Sequence, residues 1–165
     1  MIGHNINSSY ANRGKRLETL IDYQNHLYLI KKLAIVHKIP VEHKTYHGQS
    51  WFNQPSIVDY VGLTSGKAIA FDAKMTGAKN LPLANIPDHQ VEFLTDWQTQ
   101  GGQSFLVVEF TAVNEIYRLP LYVLQEAIEE ATKGGRKSIP LKIFRAQAKR
   151  IEAKSVFPLD YLNLA

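Results

Sequence analysis

The stretch SIVDYVGLTSGKAIAFDAK, residues 56–74, decides the fold, because its pattern predicts two β-strands joined by a tight turn. Apolar and β-branched residues dominate 56–64 and 67–74, as is typical of buried or half-buried strands. Ser65-Gly66 between them suits a two-residue hairpin turn. With that turn, Thr64 pairs with Lys67 and the register of the whole hairpin follows.

Continued down the hairpin, this register places Asp59 directly opposite Asp72 on one face of the sheet. Opposed side chains have Cβ atoms roughly 4.5–5.5 Å apart, and two like charges there are destabilising unless something neutralises them. A hard divalent cation such as Mg²⁺ prefers carboxylate oxygens and removes this repulsion. A register slip of one residue would instead put the two aspartates on opposite faces.

Lys74 lies two residues after Asp72 and therefore points to the same face of its strand. An ammonium beside a metal centre can stabilise a hydroxide or the charge that develops on a phosphate. Ala68 and Ala70 share this face, so we expect open space beside it, with Ile69, Phe71 and Ala73 facing the core. An acid two residues before a lysine is also common on solvated strands, which is the structural alternative.

The rest of the chain predicts helices and strands in alternation around this hairpin. Helices are expected at 13–33, 87–100, 120–132 and from 141, further strands at 34–38, 104–110 and 115–119, and loops at 40–55 and 75–85. This order predicts an α/β fold, a mixed central sheet flanked by helices. We expect one domain over 1–165, with a disordered arm at about 1–10 and a protruding segment at about 40–55.

Charge, cysteine content and apolar runs limit the kinds of function that the protein can have. The 165 residues carry a net charge of +4, which suits a polyanionic partner. The sequence has no cysteine, which excludes disulfides, cysteine-based zinc sites and thiol catalysis. Residues 1–16 have no apolar core of the kind found in secretory signals, and no apolar run is long enough to span a bilayer. We expect a cytoplasmic protein without a membrane partner.

The chain resembles the PD-(D/E)XK nucleases in one pattern, which is Asp59 followed by Asp72-Ala73-Lys74. Around that pattern the chain resembles the RecU-type Holliday junction resolvases of Gram-positive bacteria and their phages. The matching segments follow in family order: ANRGKRLETLI at 11–21, HKIP at 37–40, PSIVDYVG at 55–62, GKAIAFDAK at 66–74, LPLANIPDHQVEFL at 81–94, QGGQSFLVVEF at 100–110 and GGRKSIP at 134–140.

The resemblance implies a restriction-endonuclease-like core and a homodimer that cuts four-way DNA junctions symmetrically in recombination and repair. It implies Mg²⁺ as cofactor, with Mn²⁺ able to replace it, and an association with recombinase and branch-migration proteins. Glu18 matches an additional acidic residue near the metal and Gln90 a glutamine that lines the site, and the carbonyl of Ala73 is a further candidate ligand. The segment after HKIP is shorter than the family's stalk, and Asp72 stands where glutamate is common.

Candidate DNA contacts are basic residues near the first helix and after two glycines. They are Arg13, Lys15, Arg16, Arg136 and Lys137. Gly134-Gly135 lets the backbone approach a phosphate closely. Trp51 and Phe52 either stack on exposed bases or fold back over apolar surface. Two other functions remain open: a nuclease of the same core that acts on other DNA, and a DNA-binding recombination protein without catalysis.

Overall fold

The computed structural model describes residues 7–40, 43–46, 49–52 and 57–164, with side chains at 15–40 and 57–164. The helices are α1 (Asn7–Ile30), α2 (Asp88–Thr99), α3 (Leu121–Thr132) and α4 (Leu141–Gln147). The strands are β1 (Ala34–Lys38), β2 (His43–Tyr46), β3 (Gln49–Phe52), β4 (Tyr60–Thr64), β5 (Lys67–Thr76), β6 (Asn80–Pro82), β7 (Gln103–Phe110), β8 (Glu115–Pro120), β9 (Ser138–Pro140) and β10 (Lys149–Ile151).

Six strands form the central sheet, in the order β1-β4-β5-β7-β8-β10. The β5–β7 pair is parallel and its other neighbours are antiparallel, so the sheet is mixed. The predicted α/β class with a mixed central sheet flanked by helices is confirmed. The hairpin register is also confirmed, because Thr64 pairs with Lys67 and Tyr60 pairs with Phe71.

Helix α1 begins earlier than predicted. It includes residues 7–10, which the sequence analysis assigned to a disordered arm. Asn and Ser are polar but are also favoured at helix N-termini, where their oxygens can accept the first N–H groups. Polarity alone therefore could not separate an arm from the first turn of a helix. Residues 1–6 of the predicted arm lie outside the described residues.

The segment at 40–55 is not the irregular loop that its polar and aromatic composition predicted. The described residues form a separate two-stranded antiparallel sheet, in which β2 pairs with β3. Aromatic and β-branched residues such as Thr45 and Trp51 favour strands, and each can pair only once its partner strand is present. The side chains of Trp51 and Phe52, and hence the two alternatives for them, lie outside the described side chains.

The predicted loop at 75–85 is largely regular. Strand β5 continues to Thr76, which pairs with Phe110 at the end of β7. Strand β6 pairs with β9, and a turn of 3-10 helix follows at Leu83–Asn85. These pairings join segments far apart in sequence, so local composition dominated by Gly77 and the lysines did not reveal them.

Both faces of the sheet are covered, so the expected open face beside Asp72 is wrong. Ala70 and Asp72 are both completely buried. On that face Ala70, Leu106 and Val108 pack with residues of α2, α3 and α4. The parallel β5–β7 pair explains this, because parallel strands at the centre of a sheet are covered on both sides.

The opposite face packs against α1 and the C-terminal segment, which was predicted only as a tail. Tyr28 of α1 donates a hydrogen bond to Asp160, 2.8 Å, and accepts one from the N–H of Leu162, 3.2 Å. Phe157 and Tyr161 pack beside Tyr28. The C-terminal segment therefore completes the core on this face. In the described part of the chain, no helix is long and apolar enough to cross a membrane.

Candidate metal centre

The site lies where β4 stops and β5 continues. Strand β4 begins at Tyr60, so Asp59 precedes the strand rather than lying in it as predicted. The carboxylate of Asp59 accepts a 2.9 Å hydrogen bond from the N–H of Ala73, and the N–H of Asp59 donates a 3.1 Å bond to Asp72 Oδ1. The two aspartates thus lie side by side, each bonded to the backbone at or beside the other.

A row of stacked aromatic rings fixes the backbone beside this pair. Tyr60, Phe71 and Phe105 are opposite one another on β4, β5 and β7. Tyr60 stacks on Phe71 at 4.9 Å and Phe71 on Phe105 at 4.8 Å between ring centroids. Because Asp59 precedes Tyr60 and Asp72 follows Phe71, the rings hold the neighbouring carboxylates in a rigid part of the sheet.

Lys74 and Gln90 complete a triangle with Asp72. The ammonium of Lys74 contacts Asp72 Oδ2 as an ion pair and donates a 2.9 Å hydrogen bond to Gln90 Oε1. Gln90 in turn donates a 3.1 Å bond from Nε2 to Asp72 Oδ1. Gln90 reaches the site because it lies in the first turn of α2, which begins directly after Pro87 and packs on β5. The sequence-predicted residues Asp59, Asp72, Lys74 and Gln90 are therefore brought together.

Burial and mutual repulsion raise the pKa of Asp59. Desolvation is the largest cause, the charge of Asp72 and a hydrogen bond shared with it add to the effect, and the pKa reaches about 6. The bond from Ala73 and the charge of Lys74 act in the opposite direction without cancelling the rise. The pair therefore retains the electrostatic tension that a bound cation relieves.

The donor set fits a hard divalent cation. Asp72 Oδ2 is buried and accepts no hydrogen bond from any described residue, although Lys74 pairs with it. Two carboxylates that meet at one point are the ligands that Mg²⁺ takes. Among the described residues, no three His, Asp or Glu side chains converge as a ready-made cluster, so the third ligand is not in place.

Glu18 lies in an adjacent cluster on α1. Its carboxylate accepts a 2.5 Å bond from the ammonium of Lys38, whose Nζ also lies 3.8 Å from Asp22. Tyr60 donates a 2.8 Å hydrogen bond to Asp22 and so joins this cluster to the aromatic row. Desolvation lowers the pKa of Lys38, but the bond and charge of Glu18 and the charges of Asp22 and Asp59 outweigh it and raise the pKa. Glu18 is thus close to the aspartate pair but held by a lysine.

Sequence reasoning missed Lys38. The residue ends β1 and lies opposite Tyr60, one position from Asp59. The signal was the pairing of the apolar run AIVHK with β4. Once that pairing is drawn, the last residue of β1 lies beside the candidate metal centre.

The predicted DNA contacts fall on two faces of the sheet. Lys15 and Arg16 lie on α1, and both are exposed. Arg16 also pairs with Glu109, a fully buried acid on β7 that the sequence analysis did not single out. Arg136 and Lys137 are exposed and precede β9, which packs with α3 on the other face. The side chain of Arg13 lies outside the described side chains.

The sequence comparisons with known proteins agree on one family. The family model described as RecU, recombination protein U, matches residues 12–165. A Holliday junction resolvase RecU of Oenococcus oeni is 40% identical, covering 96% of this chain and 86% of its own. One of Limosilactobacillus reuteri is 34% identical over 94% and 82%. Among solved structures, Hjc, a Holliday junction resolvase of Archaeoglobus fulgidus, matches with a TM-score of 0.42 and 16% identity, covering 67% of this chain and 77% of Hjc.

Proposed function

The chain belongs to the RecU (recombination protein U) family, and on that premise we propose that it is a divalent-metal-dependent endonuclease that resolves Holliday junctions. The observation that carries the proposal is the pair of the half-buried Asp59 and the fully buried Asp72, with Lys74 in contact with Asp72. Two like charges held together destabilise the fold, and a bound cation would neutralise them. The relatives reported above are named for the same activity.

Asp59 and Asp72 would hold Mg²⁺, and Mn²⁺ would replace it. Glu18 and the backbone carbonyl of Ala73 would be further ligands, and Glu18 would have to leave Lys38 to take part. When bound, the metal supplies Lewis acidity toward a phosphodiester and makes water a better nucleophile at neutral pH.

Lys74 has the electrostatic role in the reaction. Its ammonium is held by Asp72 and Gln90, so its position is set before substrate binds. A fixed positive charge stabilises the negative charge that develops on a phosphate without reorganising as the reaction proceeds. Gln90 orients both partners, because its amide donates to Asp72 and accepts from Lys74.

DNA would be bound by basic residues on both faces of the sheet. They are Arg13 and the exposed Lys15, Arg16, Arg136 and Lys137. A four-way junction has two strands to cut symmetrically, and a twofold homodimer presents two sites in the matching arrangement. Recombinase and branch-migration proteins would be its partners, as the family resemblance implies, and the cytoplasm of a bacterium or a phage host would be its setting.

The test is cleavage by the purified protein with Mg²⁺ on a mobile four-way junction, a linear duplex and single-stranded DNA. We expect paired nicks in the junction, loss of cutting in Lys74→Met, and normal cutting in Lys67→Met, an exposed lysine on the same strand. Cutting of duplex as fast as junction would favour a nuclease of another substrate. Tight binding of the junction without cutting would overturn the proposed nuclease activity.

A further inference from the structure

A second basic site lies on β8 and β10, away from the carboxylate pair. Arg118 and Lys149 are directly opposite each other across these two antiparallel strands. Opposed residues point to the same face, and like charges in that position are destabilising. An arrangement of this kind is expected where an anion sits between the two cations.

Arg118 is a largely desolvated cation with neutral partners. Its guanidinium lies 4.0 Å from the centroid of the Phe105 ring and makes long hydrogen bonds, 3.3 Å to the carbonyl of Tyr161 and 3.4 Å to Gln103 Oε1. Within the described part of the chain, no carboxylate forms an ion pair with it. Burial lowers the pKa of Arg118, as expected of a charge that lacks a counter-ion.

Both cations line one open cavity. Its volume is about 360 Å³, and the remaining described residues of its lining are neutral. They are Gln98, Gly102, Gln103, Ser104, Phe105 and Pro120. Lys149 is exposed, whereas Arg118 is held by its ring contact. A fixed fork of N–H donors beside an exposed ammonium is well suited to the oxygens of a phosphate.

The sheet register gives the position of this cavity relative to the metal centre. Ala73, Val107, Arg118 and Lys149 lie in one row across β5, β7, β8 and β10. Neighbouring strands are about 4.8 Å apart, so Lys149 is about 14 Å from Ala73. Ile151, two residues from Lys149, is buried on the α1 side, so Lys149 points to that side, and Gln98 of α2 also lines the cavity. A ligand here does not touch Lys74 or Gln90.

From these observations we propose that Arg118 and Lys149 form a phosphate-binding site, separate from the metal centre, that holds a backbone phosphate of a DNA arm not being cut. The choice of DNA rests on the proposed nuclease function. A free nucleotide presents the same phosphate chemistry, so the experiment includes both sources.

The test variant is Lys149→Ala, because Lys149 is exposed and its loss leaves the core intact. The matched control is Arg150→Ala, which removes the same charge from the next residue of β10, on the other face of the sheet. One arm measures junction binding against salt concentration without Mg²⁺. The other measures thermal stabilisation by inorganic phosphate and by deoxyadenosine monophosphate, which requires no nuclease activity.

In the first arm we expect Lys149→Ala to weaken junction binding several-fold and to reduce the slope of log K against log [salt] by about 0.9, the value of one phosphate contact. Arg150→Ala should keep the wild-type slope, and Lys149→Arg should restore it. In the second arm, phosphate should stabilise the wild type and Arg150→Ala but not Lys149→Ala.

Each result decides the inference. If Lys149→Ala loses the phosphate response but keeps the wild-type salt slope for DNA, the site binds a free nucleotide. That result keeps the phosphate site and overturns its role in binding junction DNA. Identical behaviour of Lys149→Ala and Arg150→Ala in both arms overturns the site. Because the phosphate arm needs neither DNA nor cleavage, its failure is distinct from a failure of the nuclease proposal.

Discussion

At the scale of single residues, Asp59 and Asp72 are held in place by each other's surroundings. Asp72 accepts from the backbone of Asp59, and Asp59 accepts from the backbone next to Asp72. Neither carboxylate can turn away without losing a hydrogen bond, so the repulsion between them persists in the folded protein. The metal-free protein should therefore be less stable than its isosteric variants at neutral pH.

Asp59→Asn tests that repulsion. The pKa of Asp59 is raised from 3.8 to about 6, so folding favours the protonated group. Its contribution to stability is present below pH 4 and is lost as the pH rises through 6. Asparagine keeps an acceptor for Ala73 but has no charge. We expect the metal-free variant to exceed the wild type in free energy of unfolding by about 1–3 kcal/mol at pH 8, and by much less at pH 4.

Urea unfolding in EDTA at the two pH values measures this difference, with Asp96→Asn, an exposed residue of α2, as control. A variant that is less stable than wild type at pH 8 would show that Asp59 is not strained by its neighbour. The same variant should have lost cleavage, since stability and activity make opposite demands on this carboxylate.

Gln90→Met tests whether Gln90 positions Lys74 for the reaction. Methionine is similar in size and unbranched, so the buried position should stay packed. Lys74 loses its amide acceptor and Asp72 loses a donor. We expect cleavage of the junction to slow by about 10–100-fold, as is typical when a residue behind a metal ligand is removed, with DNA affinity unchanged.

Gln147→Met, an exposed change at the end of α4, serves as its control. Single-turnover cleavage and a binding titration separate the two effects. If Gln90→Met cleaved at the wild-type rate, the triangle with Asp72 and Lys74 would have no part in the chemistry.

At the scale of secondary structure, the centre depends on where β4 begins. Strand β1 holds β4 in place, and the N–H of Ile39, just past β1, donates a 2.8 Å bond to the carbonyl of Asp59. Close contact between the two strands is possible because residue 62 is glycine. A Cβ there would lie 2.4 Å from the carbonyl oxygen of Ile35 and 2.9 Å from Val36 Cα.

Gly62→Ala should therefore push β1 from β4. We expect a loss of about 1–3 kcal/mol in the free energy of unfolding, the usual cost of overpacking, and a further loss of cleavage because Asp59 moves with β4. Gly77→Ala is the matched control, since the nearest atom to its Cβ, Thr111 Oγ1, is 3.8 Å away. Equal stability of the two variants in urea unfolding would contradict the close contact.

The hairpin at 56–74 could be predicted from sequence because its register follows from a two-residue turn and alternation, both local properties. The same reasoning could not show that β4 starts only at Tyr60, because the end of a strand depends on its neighbours β1 and β5. It missed β6, β9 and β10 for the same reason, since each pairs with a distant segment. Glu18 and Gln90 came from resemblance to a family, and only the structure related them to Lys38 and Lys74.

At the scale of the whole molecule, the basic residues proposed for DNA lie on both faces of the sheet, so a DNA bound by both groups would contact the domain from two sides. Replacing Arg136 and Lys137 by alanine removes the group that precedes β9. We expect weaker junction binding and a slope of log K against log [salt] that is smaller by up to about 1.8, since each lost phosphate contact accounts for about 0.9. Lys133→Ala, a nearby lysine paired with Glu129, is the control. An unchanged slope would place the DNA elsewhere.

The most direct measurement of the central claim compares Asp72→Asn with the wild type on a four-way junction, recording binding without metal and strand cutting with Mg²⁺. The pair of carboxylates predicts a variant that binds the junction as tightly as the wild type and leaves both strands uncut. Paired nicks at the wild-type rate from Asp72→Asn would contradict the assignment of the metal centre to Asp59 and Asp72.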